Sequence, residues 1–313
     1  MCDRFPVNVG LRQGCVMSPW LLNVFMDCVV REVNVMVLGK GLDVLRVNGG
    51  RFEINQLLFA DDTALVADSE EKLCRLVNEF GRVCERRMLR VNVGKSKVMR
   101  CSRYGNGGRM HEILNGEPLE EVDCFKYQGS QVAADGGCER DVVHRMNEGY
   151  RACRELKSVL SNRGLEIKAK KCLYEGVIIV PTALYGAEAW GSRSAERREV
   201  NVLEMKCLRS LVGVSRMDRV GNEEVRRRAG TKGIASRADQ RVLRWFGHVE
   251  RMDEYRMARK VLMAEVGGGR VRMRQRSGWM DGVKVALSNR GMTVEAARQC
   301  VKDRKEWRAL VHM

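Results

Sequence analysis

The sequence predicts an α+β fold in which a mixed first half precedes a mostly helical second half. Apolar residues recur at helical spacing in two segments of the first half. Short runs of branched and aromatic residues, bounded by glycine or aspartate, lie between and after these segments and are typical of strands and hairpins. Beyond residue 137 the remaining periodic segments are helical.

The N-terminal region predicts a glycine-containing loop followed by a helix. Residues 10–19 read GLRQGCVMSP, in which Ser18 is a favourable N-cap and Pro19 a favourable first helical residue. Apolar residues then recur at helical spacing over about 19–36. A glycine-rich loop that opens a capped helix brings backbone N–H groups close to phosphate, although an ordinary helix start is the simpler interpretation of these residues alone.

The next predicted element is a hairpin with two carboxylates at its tip. Residues 52–59 read as a strand and 63–67 as its antiparallel partner, so that Asp61 and Asp62 fall at the join. Burying an unpaired carboxylate is costly, so this pair within an apolar stretch needs an explanation. From these residues alone an Asp-Asp turn is the simpler interpretation, and a ligand pair for divalent metal ions is the alternative.

The remainder of the first half predicts one helix and three short strands. Asp68 and Glu71 resemble a reciprocal helix-start pair, and the apolar stripe that follows predicts a helix over about 69–88. The strand candidates lie at 89–93, 113–115 and 123–127, with a turn, GKSK, at 94–97 and a loop at 103–109.

The second half predicts three longer helices and then shorter ones. Helical periodicity covers 137–160, 165–190 and 195–212, and Pro181 is expected to kink or end the middle helix because proline cannot donate the backbone hydrogen bond. We place a domain boundary near 134 and divide the chain into 1–134, 135–212 and 213–313.

Composition favours a soluble intracellular protein, cytoplasmic or nuclear, without a membrane or a disulfide-linked partner. Hydrophobic residues make up 44% and charged residues 31%, which permits a packed core. The longest apolar run, around 177–183, is far shorter than the roughly 20 residues that span a bilayer. The 12 cysteines are scattered without a CxxC pair, and neither they nor the histidines show zinc-ligand spacing.

The positive charge is concentrated in the second half. Residues 1–150 hold 20 basic and 21 acidic residues, whereas 151–313 hold 36 basic and 19 acidic residues. Such asymmetry predicts binding of a polyanion, most plausibly nucleic acid, against the alternative of solvated helix faces. The candidate binding residues are the run Arg226, Arg227 and Arg228 and the alternating set Arg270, Arg272, Arg274 and Arg276.

Four motifs occur in one order along the chain. They are Arg12-Gln13-Gly14 with Ser18-Pro19, Phe59-Ala60-Asp61-Asp62, Asn92 with Lys95-Ser96-Lys97, and Phe125-Lys126-Tyr127-Gln128-Gly129-Ser130. In this order they resemble the reverse transcriptases of non-LTR (LINE-type) retrotransposons. The resemblance covers essentially the whole chain, since LRWFGHVERM (243–252) and GWMDGV (278–283) look like the region that follows the polymerase in these elements.

The resemblance implies a partial right-hand polymerase palm, a helical thumb over 135–212 and a basic helical C-terminal extension. It implies RNA-directed DNA synthesis with Mg²⁺ in a two-metal site, with an RNA template, a DNA primer and a deoxynucleoside triphosphate as partners. A non-catalytic nucleic-acid-binding remnant of such an element is the alternative.

The resemblance also implies roles for individual residues. Asp61 and Asp62 match the metal-binding aspartates, with Asp61 the more direct ligand, and Lys95 matches a lysine near the triphosphate, although a solvated turn lysine is an equal alternative. Arg12, Gln13 and Gly14 match the loop that contacts the nucleotide and template. Phe125, Tyr127 and Gly129 match the hairpin that grips the primer, where Gln128 replaces the usual leucine.

One departure from the family concerns the other essential aspartate, which lies on an earlier strand. Nine residues precede Gly10, and Asp3 is the sole acid among them, too near the loop to match that strand. The sequence is therefore expected to be a C-terminal fragment that binds nucleic acid and shows little or no primer extension by itself.

Overall fold

The computed structural model describes residues 14–39, 45–47, 52–101, 113–114, 116–191, 194–264 and 278–312, and within them the α+β class is confirmed. The helices are α1 (Ser18–Gly39), α2 (Glu70–Arg86), α3 (Glu139–Glu155), α4 (Lys157–Ser161), α5 (Ile167–Cys172), α6 (Ile179–Ala183), α7 (Ser194–Val212), α8 (Asn222–Ala229), α9 (Ile234–Glu250), α10 (Met257–Met263), α11 (Trp279–Ser288), α12 (Val294–Cys300) and α13 (Arg304–His312). The strands are β1 (Leu45–Val47), β2 (Phe52–Ile54), β3 (Gln56–Phe59), β4 (Asp62–Leu65), β5 (Lys97–Val98), β6 (Ile113–Leu114), β7 (Glu117–Pro118), β8 (Glu120–Glu121), β9 (Cys124–Tyr127) and β10 (Ser130–Ala133).

The strands pair two by two. The pairs β1–β2, β3–β4, β6–β7 and β9–β10 are antiparallel, and β5–β8 is parallel. The strands predicted at 113–115 and 123–127 correspond to β6 and β9. Each pair is short, so the sheet elements depend on helices for burial.

The chain divides into two compact units. One includes the residues up to Arg100 together with Asn106–Val122, and the other includes Asp123–Met263 and the C-terminal segment 278–312. The division into three parts at 134 and 212 stays a prediction.

The core of the first unit is the packing of α1 against α2. Buried residues recur three or four positions apart on both helices, so each helix presents one apolar stripe to the other. This core comprises Val29, Val33, Val37, Leu76, Phe80, Val83 and Cys84. Both helices confirm the predicted ones, and Ser69 is the N-cap of α2 because its side chain accepts a hydrogen bond from the Lys72 N–H at 3.3 Å.

The strand predicted at 89–93 is wrong. The Leu89 N–H donates to the Cys84 carbonyl at 2.8 Å, which turns the chain back after α2, and Val93–Lys95 form a short 3-10 turn. Leu89 and Val91 pack against the α1–α2 core. These apolar residues therefore serve side-chain packing and do not form a strand ladder.

The second unit contains two hydrophobic clusters. The larger one is built mainly on α3, α6 and α7, with Met146, Tyr174 and Leu203 among its fully buried side chains. The other is built on α9 and α11 to α13, where Phe246 and Trp307 contact each other at a ring-centroid distance of 6.0 Å.

The helix predicted over 165–190 is interrupted. After α5, Leu173–Val177 form a π-helical turn, α6 follows, and Ala187–Ala189 form a 3-10 turn. Pro181 lies in the first turn of α6, where a backbone N–H has no intrahelical partner, so proline is tolerated there. The helix predicted over 137–160 is likewise divided into α3 and α4, whereas α7 confirms the one at 195–212.

Two further features concern membranes and thiols. Among the described residues no helix is long and apolar enough to cross a bilayer. Eleven cysteines fall within those residues, and all eleven are free thiols.

Candidate active site

The two adjacent aspartates lie at the tip of a tight hairpin in the first unit, as predicted. Strands β3 and β4 pair with Leu58 opposite Thr63 and Phe59 opposite Asp62. Ala60 and Asp61 form the two-residue connection, and Asp62 begins β4. Both carboxylates are exposed, so the hairpin presents them at its open end.

The turn that presents them contains a strained residue. Ala60 has a φ of 53°, in the left-handed region that costs a residue with a Cβ about 1–2 kcal/mol. Strain of this kind is found at sites where the surrounding structure fixes the backbone for a function. The strained residue is the immediate neighbour of Asp61, the more direct of the two predicted ligands.

The base of the hairpin is fixed to α1 by Asn34, a residue that carries no local sequence signal of this role. The Asn34 side-chain oxygen accepts hydrogen bonds from the side-chain amides of Asn55 and Gln56, both at 2.8 Å. The Val66 N–H donates to the Asn55 carbonyl at 2.8 Å and extends the ladder by one bond. Anchoring at the base holds the direction of the two strands, and with it the position of the tip.

The aspartate pair fits Mg²⁺ in the type of its donor atoms. Mg²⁺ prefers oxygen ligands and is commonly bound by one or two carboxylates together with substrate phosphates. Asp61 and Asp62 supply such carboxylates on one exposed turn. Within the described ranges no group of three or more His, Cys, Asp or Glu side chains is placed to hold a metal ion. Among the described residues the hairpin therefore offers two carboxylates to a metal ion, with no third such side chain placed beside them.

Lys95 lies at the end of the 3-10 turn in the same unit. The Asn92 side chain caps this turn by accepting from the Lys95 backbone N–H at 3.1 Å. Lys97 braces it from the other side, because its ammonium donates to the Glu120 carboxylate at 2.6 Å and to the Gly94 carbonyl at 3.1 Å. The Lys95 side chain is exposed, and its role near a triphosphate stays a prediction.

The predicted nucleotide loop is described only at its end. Arg12 and Gln13 lie outside the described residues, and Gly14 has a φ of 83°. A Cβ at Gly14 would meet no atom within 4 Å, so the backbone conformation, and not crowding, favours glycine there.

The predicted primer-grip hairpin belongs to the second unit. Strands β9 and β10 pair with Tyr127 opposite Ser130, and the connection is Gln128-Gly129. Both connecting residues have positive φ, 49° and 81°, as a tight turn of type I′ requires. Phe125 lies within β9 and is half-buried.

The tip of this second hairpin is held by two side chains from the helical part of the unit. The Arg145 guanidinium donates to the Gly129 carbonyl, and the Tyr185 hydroxyl donates to the Gln128 carbonyl at 3.1 Å. The guanidinium also lies over the Tyr185 ring, 4.4 Å from its centroid. A Cβ at Gly129 would come within 3.1 Å of that ring and would push it aside, so space as well as the positive φ favours glycine.

A buried aspartate fixes the returning strand of the same hairpin. Asp141 is 4% exposed and accepts from the Gln131 backbone N–H and from the Trp190 indole N–H, both at 2.8 Å. Its carboxylate lies 3.9 Å from the Arg145 guanidinium. Sequence reasoning missed Asp141, Arg145 and Tyr185, because residues so far from the hairpin in sequence give no local signal of contact with it.

The three consecutive arginines of α8 form ion pairs within the protein. Arg226 binds the fully buried Glu204 at 2.6 Å, and Arg227 and Arg228 bind Glu224 at 2.6 and 2.8 Å. Hydrogen bonds from Arg227 and then Arg228 lower the pKa of Glu224 to about 2. Their binding to nucleic acid stays a prediction, and Arg270, Arg272, Arg274 and Arg276 lie outside the described residues.

The first of these hairpins carries two adjacent carboxylates at an exposed turn, an arrangement that suits the metal-assisted joining of a nucleotide to a primer end. Comparison with known protein families gives one match, which covers this part of the chain. Residues 2–132 match the family described as reverse transcriptase (RNA-dependent DNA polymerase), so this part of the chain is a reverse transcriptase region. Polymerases of this family act on nucleic acids and generally use divalent metal ions.

One curated relative extends the similarity beyond this region. The chain is 27% identical over 286 residues to an uncharacterized transposon-derived protein of Caenorhabditis elegans, covering 85% of this chain and 98% of the relative. No solved structure matches the chain.

Proposed function

We propose that the chain is the palm-hairpin, thumb and C-terminal part of an RNA-directed DNA polymerase from a non-LTR retrotransposon. The observation that carries the proposal is the exposed Asp61-Asp62 pair on a tight, anchored hairpin within a reverse transcriptase region. The order of the other motifs and the segment LRWFGHVERM support the non-LTR assignment. The RNA template and the DNA primer are the proposed partners.

In this proposal Asp61 and Asp62 bind Mg²⁺ at the hairpin tip. Bound Mg²⁺ supplies charge neutralisation on the triphosphate and activation of the primer 3′-hydroxyl. The Lys95 ammonium offsets negative charge on the departing pyrophosphate. The hairpin that contains Phe125, Tyr127 and Gly129 holds the primer end, and its fixed turn limits the positions which that end can take.

The second candidate function is nucleic-acid binding without catalysis. It is favoured by the lack of a third metal-ligating group beside Asp61 and Asp62 among the described residues. Two carboxylates on one turn leave most of the six positions around Mg²⁺ to water and substrate. Primer extension by the chain alone is therefore expected to be absent or barely detectable.

One experiment distinguishes the two candidates. Binding of a labelled RNA template annealed to a DNA primer is measured by fluorescence anisotropy, and extension of the same primer is measured with Mg²⁺ and deoxynucleoside triphosphates. The variant is Asp61→Ala, and the matched control is Asp68→Ala, which removes an exposed carboxylate of the same unit from an ion pair with Lys72. Both substitutions remove one negative charge, so they separate a metal ligand from a change in net charge.

Extension that is lost in Asp61→Ala and kept in Asp68→Ala supports the polymerase. Binding without extension in the unsubstituted chain supports the non-catalytic candidate. Failure to bind the template–primer at 50 mM salt contradicts both candidates.

A further inference from the structure

We propose that a cationic cleft in the second unit, which shares no residue with either hairpin, binds the phosphate backbone of a nucleic acid. The cleft has a volume of about 860 Å³ and lies between α9, the residues that follow it, and α13. It is lined by Arg244, His248, Arg251, Met252, Asp253, Arg256, Arg304, Trp307, Arg308, Val311 and His312. This assignment rests on the proposed nucleic-acid binding and names a surface for it. A chain that binds no RNA at all contradicts that function, whereas a chain that binds RNA equally well without the cleft arginines contradicts this assignment alone.

The cleft carries an excess of positive charge. Five arginines and two histidines face one acidic residue, Asp253. Arg244, Arg256, Arg304 and Arg308 are exposed, and among the described residues none of the five arginines forms an ion pair with a carboxylate. Arg251 donates one hydrogen bond to the Val301 carbonyl at 3.1 Å. Most guanidinium N–H groups of the cleft therefore remain available to a bound anion.

Neighbouring arginines are neutralised by the protein itself, which sets this cleft apart. Arg259 and Arg298 both bind Glu250 on the same helix that supplies Arg244. Arg227 and Arg228 share Glu224 on α8. The cleft arginines therefore differ from these neighbouring arginines, because their positive charge is not neutralised by carboxylates of the protein.

The electrostatic effect of these arginines is visible on the groups between them. Burial, followed by the charges of Arg244, Lys232 and Arg308, lowers the pKa of His312. Burial, followed by the charge of Arg304, lowers the pKa of Arg251. Each added positive charge is disfavoured in the cleft, and a phosphate placed there would relieve this repulsion.

The floor of the cleft is closely packed. Trp307 is 4% exposed, and its indole packs on Gly247 so closely that a Cβ there would lie 2.0 Å from the indole nitrogen. Phe246 and Val249 are buried beneath, whereas Arg244 and His248, four residues apart on α9, are exposed on the cleft side. The segment LRWFGHVERM therefore combines an apolar face that packs α13 with a polar face that supplies cleft residues.

The shape and chemistry of the cleft favour a nucleic-acid backbone as the ligand. Arginine presents a planar fork of donors that matches phosphate oxygens, and a set of arginines on two helices suits an anion with repeated charges. A smaller depression of about 480 Å³ adjoins the cleft and extends the same basic surface. It shares Arg304, Arg308 and His312 with the cleft and adds Lys305 and Ala309. Contacts of this kind position a strand without reading its bases.

The test compares two pairs of substitutions that remove the same charge. The cleft variant is Arg304→Gln/Arg308→Gln. The matched control is Arg31→Gln/Arg151→Gln, two exposed arginines outside the cleft that each pair with a carboxylate of their own helix, Asp27 and Glu148. Binding of two unrelated single-stranded 20-nucleotide RNAs to the full chain is measured by fluorescence anisotropy between 50 and 200 mM salt, and circular dichroism checks that each variant is folded. Unlabelled polyglutamate and polyuridylate serve as competitors.

The cleft variant is expected to bind both RNAs about 25-fold more weakly at 0.1 M salt, with the log–log salt slope smaller by about 1.4, because each lost phosphate contact contributes roughly 0.7 for a single strand. The control variant is expected to change affinity less than about twofold. Equal losses in the two variants, or no loss in the cleft variant, would overturn the proposal. Polyglutamate competing as well as polyuridylate would also overturn it, in favour of an acidic protein ligand. Loss of primer extension in Asp61→Ala is measured separately and leaves this outcome unaffected.

Discussion

Replacing Asp141 by alanine should destabilise the second unit and loosen the hairpin between β9 and β10. The carboxylate accepts from the Gln131 and Trp190 N–H groups at 2.8 Å each and lies beside Arg145. Its removal leaves two N–H donors without their partner, at about 1–3 kcal/mol each, together with a mostly buried guanidinium. We therefore expect the free energy of unfolding to fall by about 3–5 kcal/mol, the range for breaking a buried ion pair.

Two further variants separate the contributions to this loss of unfolding free energy. Asp141→Asn keeps an acceptor oxygen and should cost less than Asp141→Ala. Trp190→Phe removes the indole N–H, and a double-mutant cycle with Asp141→Ala should show a coupling of about 1 kcal/mol, the usual net value of one hydrogen bond. Urea unfolding followed by circular dichroism gives the free energies, and Asp253→Ala, an exposed carboxylate of the same unit, is the control.

Hydrogen exchange tests the local part of this reasoning. In Asp141→Ala the backbone amides of β9 and β10 should exchange faster, whereas those of α9 should keep their relative protection. An unfolding free energy within 0.5 kcal/mol of the unsubstituted protein, with unchanged exchange in the hairpin, would refute the assignment of Asp141 as its anchor.

Three further outcomes are expected. Glu204→Ala should lower the unfolding free energy by about 3–5 kcal/mol in urea, because the fully buried carboxylate binds Arg226 at 2.6 Å and accepts from the Ile234 N–H at 2.8 Å. Gly247→Ala should cost about 1–3 kcal/mol or more in the same assay, since a Cβ would lie 2.0 Å from the Trp307 indole nitrogen. Burial raises the pKa of Cys84 to about 11 from 9.0, so at pH 8 the fraction present as thiolate falls about 100-fold. Alkylation of Cys84, followed by mass spectrometry, should therefore be slower by a similar factor in the folded protein than in the urea-unfolded chain. Equal rates would contradict the burial of this thiol.

The helices and strands that could be predicted from the sequence are those whose own residues show a periodic apolar pattern or a turn motif. Helices α1 and α2 follow from apolar stripes, and the β3–β4 hairpin follows from two apolar runs separated by a turn dipeptide. The segment 89–93 has the same local composition as a strand, yet its apolar residues pack against a helix pair. Whether such a segment pairs with another strand or packs its side chains against helices depends on tertiary contacts, and these cannot be seen in a single sequence.

The anchors of the two hairpins lay beyond sequence reasoning for a related reason. Asn34 meets Asn55 and Gln56 from 21 and 22 residues away, and Asp141 meets Trp190 from 49 residues away. Each of these polar residues reads locally as an ordinary helix or loop residue. Their function is set by the partner that folding brings near, so only the tertiary structure identifies them.

The arginines show which part of the charge pattern can be interpreted from the sequence alone. Arg227 and Arg228 follow Glu224 by three and four positions on one helix, the spacing at which opposite charges pair, so their neutralisation is a property of the local sequence. The cleft arginines come from two segments about sixty residues apart, Arg244 on α9 and Arg304 and Arg308 on α13, and none of them belongs to a run. A count of consecutive arginines therefore selects residues that the protein has already paired. In the proposed site, the arginines most available to a phosphate backbone are those that two packed helices bring together without pairing them with a carboxylate.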